Sequence, residues 1–119
     1  MSVKKTTPNR EQHILVVEDD PNTADMLTSY FSSLGYQVSH AAWGEDALNL
    51  AREQLPDLIV LDIHLPDIDG YEVCAQLRSQ RRTERIPIIF LTERNERMDR
   101  IMGLELGATD YITKPFDVQ

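Results

Sequence analysis

The sequence predicts an α/β domain with a five-stranded parallel sheet covered by helices on both faces, and three observations carry that prediction. Ile14-Leu15-Val16-Val17, Leu58-Ile59-Val60-Leu61 and Ile88-Ile89-Phe90-Leu91 are apolar without interruption, as strands are when both of their faces are buried. The segments between them repeat apolar residues every three or four positions, the spacing of an amphipathic helix. Strand and helix alternate along the chain, which argues for right-handed crossovers and a doubly wound sheet.

In chain order, residues 1–12 are polar, contain Pro8 and show no apolar period, so they read as a flexible N-terminal arm, and the ordered domain, 13–119, is expected to begin near His13. The first strong strand follows. Ala24, Leu27, Phe31 and Leu34 form the stripe of a first helix that Gly35 stops. A weaker strand is expected near Gln37 to His40. Ala47, Leu48, Ala51 and Leu55 form the second stripe, ended by Pro56. Val73, Cys74 and Leu77 form the third, with Arg78, Arg81 and Arg82 expected where a helix dipole favours cations. Met98, Ile101 and Met102 begin a fourth helix that closes near Gly107, and a weak fifth strand is expected near Asp110 to Thr113.

A chain of 119 residues is long enough for one hydrophobic core and too short for two. Its net charge of -8 argues against direct nucleic-acid contact by this domain, which needs a basic face to neutralise phosphates. The single cysteine, Cys74, leaves no intramolecular disulfide and no cysteine zinc cluster; a packing role in a reducing compartment is expected. Met1-Ser2-Val3-Lys4-Lys5 lacks the apolar stretch of a signal peptide and no run approaches a membrane span, so a cytoplasmic location is expected.

The carboxyl ends of the strands hold the chemistry. Strand 1 runs into Glu18-Asp19-Asp20, strand 3 into Asp62 and strand 4 into Thr92, while strand 5 leads to Lys114-Pro115. In open α/β sheets, ligands bind beyond the carboxyl ends of the strands, where the strand order reverses. If strands 1 and 3 are neighbours, three or four carboxylates, a hydroxyl and an ammonium share one shallow cleft. Two carboxylates about 4 Å apart repel by roughly 4 kcal/mol at an effective dielectric near 20, so the cluster requires a cation or a proton. A few hard oxygen ligands with open positions suit Mg²⁺ better than Ca²⁺ or Zn²⁺. Any single acid of the set could instead cap a loop or helix, as Asp20 before Pro21 and Asn22 could.

Ile14 to Pro21, Leu58 to Gly70, Phe90-Leu91-Thr92 and Gly107 to Phe116 together resemble the receiver domains of two-component response regulators, in order and spacing, over about residues 13 to 116. The resemblance implies a flavodoxin-like sheet of order 2-1-3-4-5. It implies that Asp62 is the phosphoacceptor and that Asp19 and Asp62 bind Mg²⁺ directly. His64 would lend its backbone carbonyl, and Glu18 would act mainly through water. Thr92 and Lys114 would contact the phosphoryl oxygens, and Thr92 with Tyr111 would relay phosphorylation to the surface of helix 4 and strand 5. The donor implied is a phosphohistidine on a sensor histidine kinase or phosphotransfer protein. Such a chain is a signalling phosphoacceptor, not an enzyme acting on others, apart from self-catalysed phosphorylation and autodephosphorylation. A homodimer through helix 4 and strand 5 is a further implication. Asp99 to Ala108 also resembles regulators that regulate transcription through a winged-helix DNA-binding domain, although Thr109 stands where that group often has an acid.

Two features depart from the family pattern. Glu93, followed by Arg94, occupies a position that is usually small, and a carboxylate there is expected to slow phosphorylation by small anionic donors. Only Asp117-Val118-Gln119 follow Lys-Pro-Phe, too few for a stable fifth helix, so a C-terminally truncated domain with one partly uncovered sheet face is expected. Two other classes compete with this reading. One is a receiver-like interaction module that uses no phosphate. The other is a flavin-binding or phosphatase domain, which the acids after strand 1 disfavour because no glycine-rich phosphate loop stands there.

Overall fold

The computed structural model describes residues 12–93 and 110–114, with 92–93 and 110–114 described through their backbone. Five strands, β1 (His13–Val17), β2 (Gln37–Ala41), β3 (Leu58–Asp62), β4 (Ile88–Glu93) and β5 (Asp110–Lys114), form one parallel sheet in the order β2-β1-β3-β4-β5. Three helices lie among the described residues: α1 (Pro21–Ser33), α2 (Gly44–Gln54) and α3 (Gly70–Arg78). The expected fourth helix, the arm up to residue 11 and the chain after 114 lie outside the described residues.

The uninterrupted apolar strands follow from a core on each side of the sheet. Leu15 and Val17 of β1 enter one core, with Ile59, Leu61, Ile88, Phe90 and the buried faces of α2 and α3. Ile14 and Val16 enter the other, with Val60, Leu91 and Leu27 of α1. Alternate residues of a strand point to opposite faces, so a strand sandwiched between helices has no polar side. Each fully buried Leu or Ile contributes about 1.5–3 kcal/mol. Tyr71 and Phe90 add an edge-on ring contact with centroids 5.4 Å apart. Cys74 packs in the first core as expected; burial pushes its thiol pKa up, against the opposing pull of Arg78, which leaves it a poor nucleophile.

Helix ends explain where the sequence pattern overreaches. Leu34 is the C-cap of α1 and is 56% exposed, and Gly35 follows it at φ +98°, reversing the chain. Leu55 is the left-handed C-cap of α2, at φ 49° and 42% exposed. Pro56 disfavours a helical residue before it, so Leu55 leaves the stripe instead of extending it. Neither leucine belongs to the core that its spacing suggested. Arg81 and Arg82 are likewise not at the end of α3, which stops at Arg78. Arg82 donates to the Arg52 carbonyl in the last turn of α2 at 3.1 Å, and Arg78 donates to the carbonyls of Glu84 and Ile86 at 3.0 and 2.8 Å. Those cations serve α2 and the α3–β4 connection.

Candidate functional site

Register brings the acids together. Val17 of β1 pairs with Leu61 of β3, so one step further along the same register Glu18 comes opposite Asp62. Both keep the parity of Val16 and Val60. Carboxylate oxygens of Glu18, Asp19 and Asp62 lie within 4.8 Å of one another. Glu18 is 1% and Asp62 3% exposed, while Asp19 is exposed. Among the described residues the buried polar side chains are Glu18, Asp62 and Thr83; Thr83 donates to the Leu77 carbonyl at 2.6 Å, so two of the three belong to this cluster.

Asp20 takes another role. Its carboxylate accepts from the Thr23 amide at 2.9 Å and from the Thr23 hydroxyl at 2.6 Å, as the N-cap of α1 with Pro21 in the first turn. Of the four acids expected at the strand ends, the cap removes one, and three remain to meet a cation.

The backbone around them is tied down. The Asp20 amide donates to Glu18 Oε2 at 3.0 Å, and the Glu18 amide donates to the Ala41 carbonyl at 3.0 Å. The His64 amide approaches Asp62 Oδ1 at 3.3 Å, and residue 64 is exposed at the cleft. Thr92 and Glu93 end β4 as register partners of Thr113 and Lys114 in β5, and Tyr111 pairs with Phe90. Asp62 is the partner of Leu91, so Thr92 lies one position beyond it on the adjacent strand. The backbone therefore places residues 62, 92 and 114 at the carboxyl edge of the sheet. Arg94 lies outside the described residues.

Three residues around the site carried weak or no sequence signal. His40 lies inside β2, and its Nε2 is 2.8 Å from the Glu18 carbonyl oxygen. Gly70 opens α3, donates its amide to the Ile63 carbonyl at 2.7 Å and packs against the peptide of the candidate acceptor. A Cβ there would collide with the Asp62 carbonyl oxygen and come within 2.9 Å of Ile63 Cα. Gly70→Ala is expected to cost about 1–3 kcal/mol in urea unfolding, because backbone must move; an unchanged midpoint would show that the contact relaxes freely.

Asp67 is the third. Trp43, the N-cap residue of α2, makes no side-chain cap hydrogen bond. Asp67 reaches over from the β3–α3 loop, its two oxygens accepting from the Gly44 and Glu45 amides at 2.7 and 2.9 Å. Desolvation acts to raise its pKa, but the amides of Glu45, Gly44 and Ile68 together outweigh it and hold the carboxyl below the ordinary value. A group with a depressed folded pKa stabilises the fold above its unfolded pKa, and that contribution is lost as the pH falls through the folded value. Asp67→Ala is expected to cost about 1 kcal/mol at neutral pH, with the gap to wild type narrowing as the pH drops into and below the carboxylate range. A gap independent of pH in thermal melts would contradict the cap.

Hard carboxylate donors of this number and crowding fit Mg²⁺, and two buried carboxylates side by side are unfavourable without a cation. Among the described residues no helix is long and apolar enough to cross a membrane.

Comparison with known proteins agrees with the fold. The family profile described as response regulator receiver domain matches residues 14–119. The transcriptional regulatory protein AfsQ1 of Streptomyces coelicolor is 51% identical over 102 residues, covering 86% of this chain and 44% of that protein. The chain thus spans less than half the length of that relative. A putative response regulator from Chloroflexus aurantiacus superposes with a TM-score of 0.89 at 40% identity, over 92% of this chain and 90% of that one. The receiver domain of the sensor histidine kinase PA1611 from Pseudomonas aeruginosa, solved with a magnesium ion coordinated in its active-site cleft, gives 0.83 at 39% identity, over 90% of this chain and 88% of that one.

Proposed function

The chain belongs to the response-regulator receiver domains, the phosphoacceptor modules of two-component signalling, and from that premise we propose that Asp62 accepts a phosphoryl group from a phosphohistidine at a cation site formed with Glu18 and Asp19. The observation that carries the proposal is the meeting of these three carboxylates, two of them buried, at the carboxyl edge of the sheet. In the transfer, an Asp62 carboxylate oxygen forms a bond to phosphorus while the bond from phosphorus to the donor imidazole nitrogen breaks, and the imidazole leaves with the electron pair and takes up a proton. Chemically, Asp62 is a covalent nucleophile.

Such a transfer is limited by bringing an anionic nucleophile in line with an anionic phosphoryl group, so positioning and charge neutralisation supply the catalysis. The chemistry that Mg²⁺ would supply there is positive charge against the negative charge of acceptor and phosphoryl group. Asp19 and Asp62 would hold the ion directly, the His64 carbonyl would add an oxygen ligand, and Glu18 would act mainly through water. Lys114 supplies the second positive charge and the Thr92 hydroxyl a hydrogen bond to a phosphoryl oxygen. The product, an acyl phosphate, is open to hydrolysis in the same site, which makes the domain a self-terminating signal. Thr92 and Tyr111 pass the change to helix 4 and β5 as a population shift driven by a local change of charge. The donor would be a sensor histidine kinase or phosphotransfer protein, and the output transcriptional, through a domain outside this chain; a second copy meeting the helix 4 and β5 surface belongs to the same proposal. Intact mass after incubation with acetyl phosphate, with and without Mg²⁺, tests the reading: one added phosphoryl group, only with the metal, is expected.

A further inference from the structure

β1 and β2 end at Val17 and Ala41, so the Glu18 carbonyl lies beyond the last register pair of their ladder. His40 Nε2 lies 2.8 Å from that oxygen. A carbonyl oxygen only accepts, so Nε2 carries the hydrogen and the imidazole donates. The Glu18 residue is then held at three points: its amide on the Ala41 carbonyl, its carboxylate by the Asp20 amide, and its carbonyl by His40.

The carbonyl of Glu18 and the amide of Asp19 belong to one rigid peptide plane. Fixing that oxygen fixes the direction in which the chain enters Asp19, the exposed member of the acidic cluster. Unlike Glu18 and Asp62, Asp19 has no surrounding core to set its position. We propose that His40 is a positioning residue for the cation site: by donating to the Glu18 carbonyl it sets the Glu18–Asp19 peptide, and so holds the Asp19 carboxylate toward Asp62. The inference rests on the reading of Glu18, Asp19 and Asp62 as a cation site. His40 is not one of the three residues of the acidic cluster. Because residue 40 is exposed, water can take over the hydrogen bond when the ring is removed, and the fold survives. What water does not reproduce is a donor fixed in place by β2. Groups that orient metal ligands from outside the ligand shell typically change affinity about 10- to 100-fold when removed, and an exposed one belongs at the low end.

Mn²⁺ serves as a spectroscopic substitute for Mg²⁺, and its free signal in electron paramagnetic resonance gives the dissociation constant without any phosphorylation. On the full chain, His40→Ala is expected to weaken Mn²⁺ binding about tenfold. His40→Gln, whose amide nitrogen can stand near the Nε2 position, is expected to restore most of that affinity. Both variants should keep the wild-type unfolding midpoint in the absence of metal. Unchanged affinity in His40→Ala, alongside a clear loss in Asp19→Asn, overturns the role of His40 and leaves the cation site standing. Equal loss in His40→Ala and His40→Gln also overturns it, because the donated hydrogen bond is then not the cause. Failure of both His40 variants to fold makes the residue structural and overturns it too. Wild-type binding by Asp19→Asn overturns the cation site itself, and this inference with it.

Discussion

Asp62→Asn is expected to abolish incorporation of a phosphoryl group, by a factor on the order of 10³ or more, while the wild-type chain with Mg²⁺ gains one group that hydroxylamine removes. An asparagine keeps the shape of the side chain and its place at the end of β3, where residue 62 is 3% exposed. It loses the anionic oxygen that must attack phosphorus. Glu18 is expected not to replace it, because in the proposed site it acts on the cation through water while Asp62 meets the phosphoryl group. Asp20 does not replace it either, because its carboxylate caps α1. Among the acids at the strand ends, Asp19 is left as the competing acceptor, and it lies on the exposed rim. Hydroxylamine distinguishes an acyl phosphate from a phosphoester on serine, threonine or tyrosine, which resists it. A modification of equal stoichiometry in Asp62→Asn would move the acceptor elsewhere and sink the proposed role.

The layered fold was legible because its signal is redundant. Each of β1, β3 and β4 is apolar at both parities, and only burial on two sides requires that. The acids were legible for a related reason: a charged residue directly after a buried strand, as Glu18 and Asp62 are, lies at an edge that the register of neighbours then superimposes. What sequence spacing does not encode is which group satisfies an end of the chain's own backbone. Leu34 and Leu55 carry the right spacing for their stripes, yet the reversal of the chain at each cap turns them to solvent. Asp67 is separated from the amides it caps by more than twenty positions, and Arg82 from the Arg52 carbonyl by thirty. His40 carries no signal at all in a chain with three histidines, because its significance depends on a carbonyl left beyond the end of a ladder. Gly70 was the one such residue with an accessible cue. Asp69 before it is an N-cap signal, accepting from the Glu72 amide at 2.9 Å, and a glycine just inside a helix start suggests a close approach of backbone.

Asp19→Asn is expected to move stability in opposite directions with and without metal. Oxygens within 4.8 Å of one another repel by about 3–4 kcal/mol per pair at an effective dielectric near 20 and by about 1 kcal/mol in water. Asp19 is exposed, so the lower part of that range applies, about 1–2 kcal/mol. Removing its charge in metal-free buffer should therefore raise the melting temperature by roughly 5 °C for a domain of this size. Saturating Mg²⁺ reverses the order. A ligand present at about a hundred times its dissociation constant stabilises by about 2.7 kcal/mol, and Asp19→Asn should forfeit most of that because a direct ligand is lost. The two melting curves, recorded against Mg²⁺ concentration, should cross. The alternative, in which Asp19 only caps or decorates a loop, predicts no gain without metal and an undiminished response to it. A substitution that leaves the Mg²⁺-induced rise intact would separate Asp19 from the cation and would remove the reason for two buried acids to stand beside a third. Crossing curves would set stability against function: the site would keep a mutual repulsion that the fold alone would shed, and the cation relieving it would be the one that the proposed transfer uses.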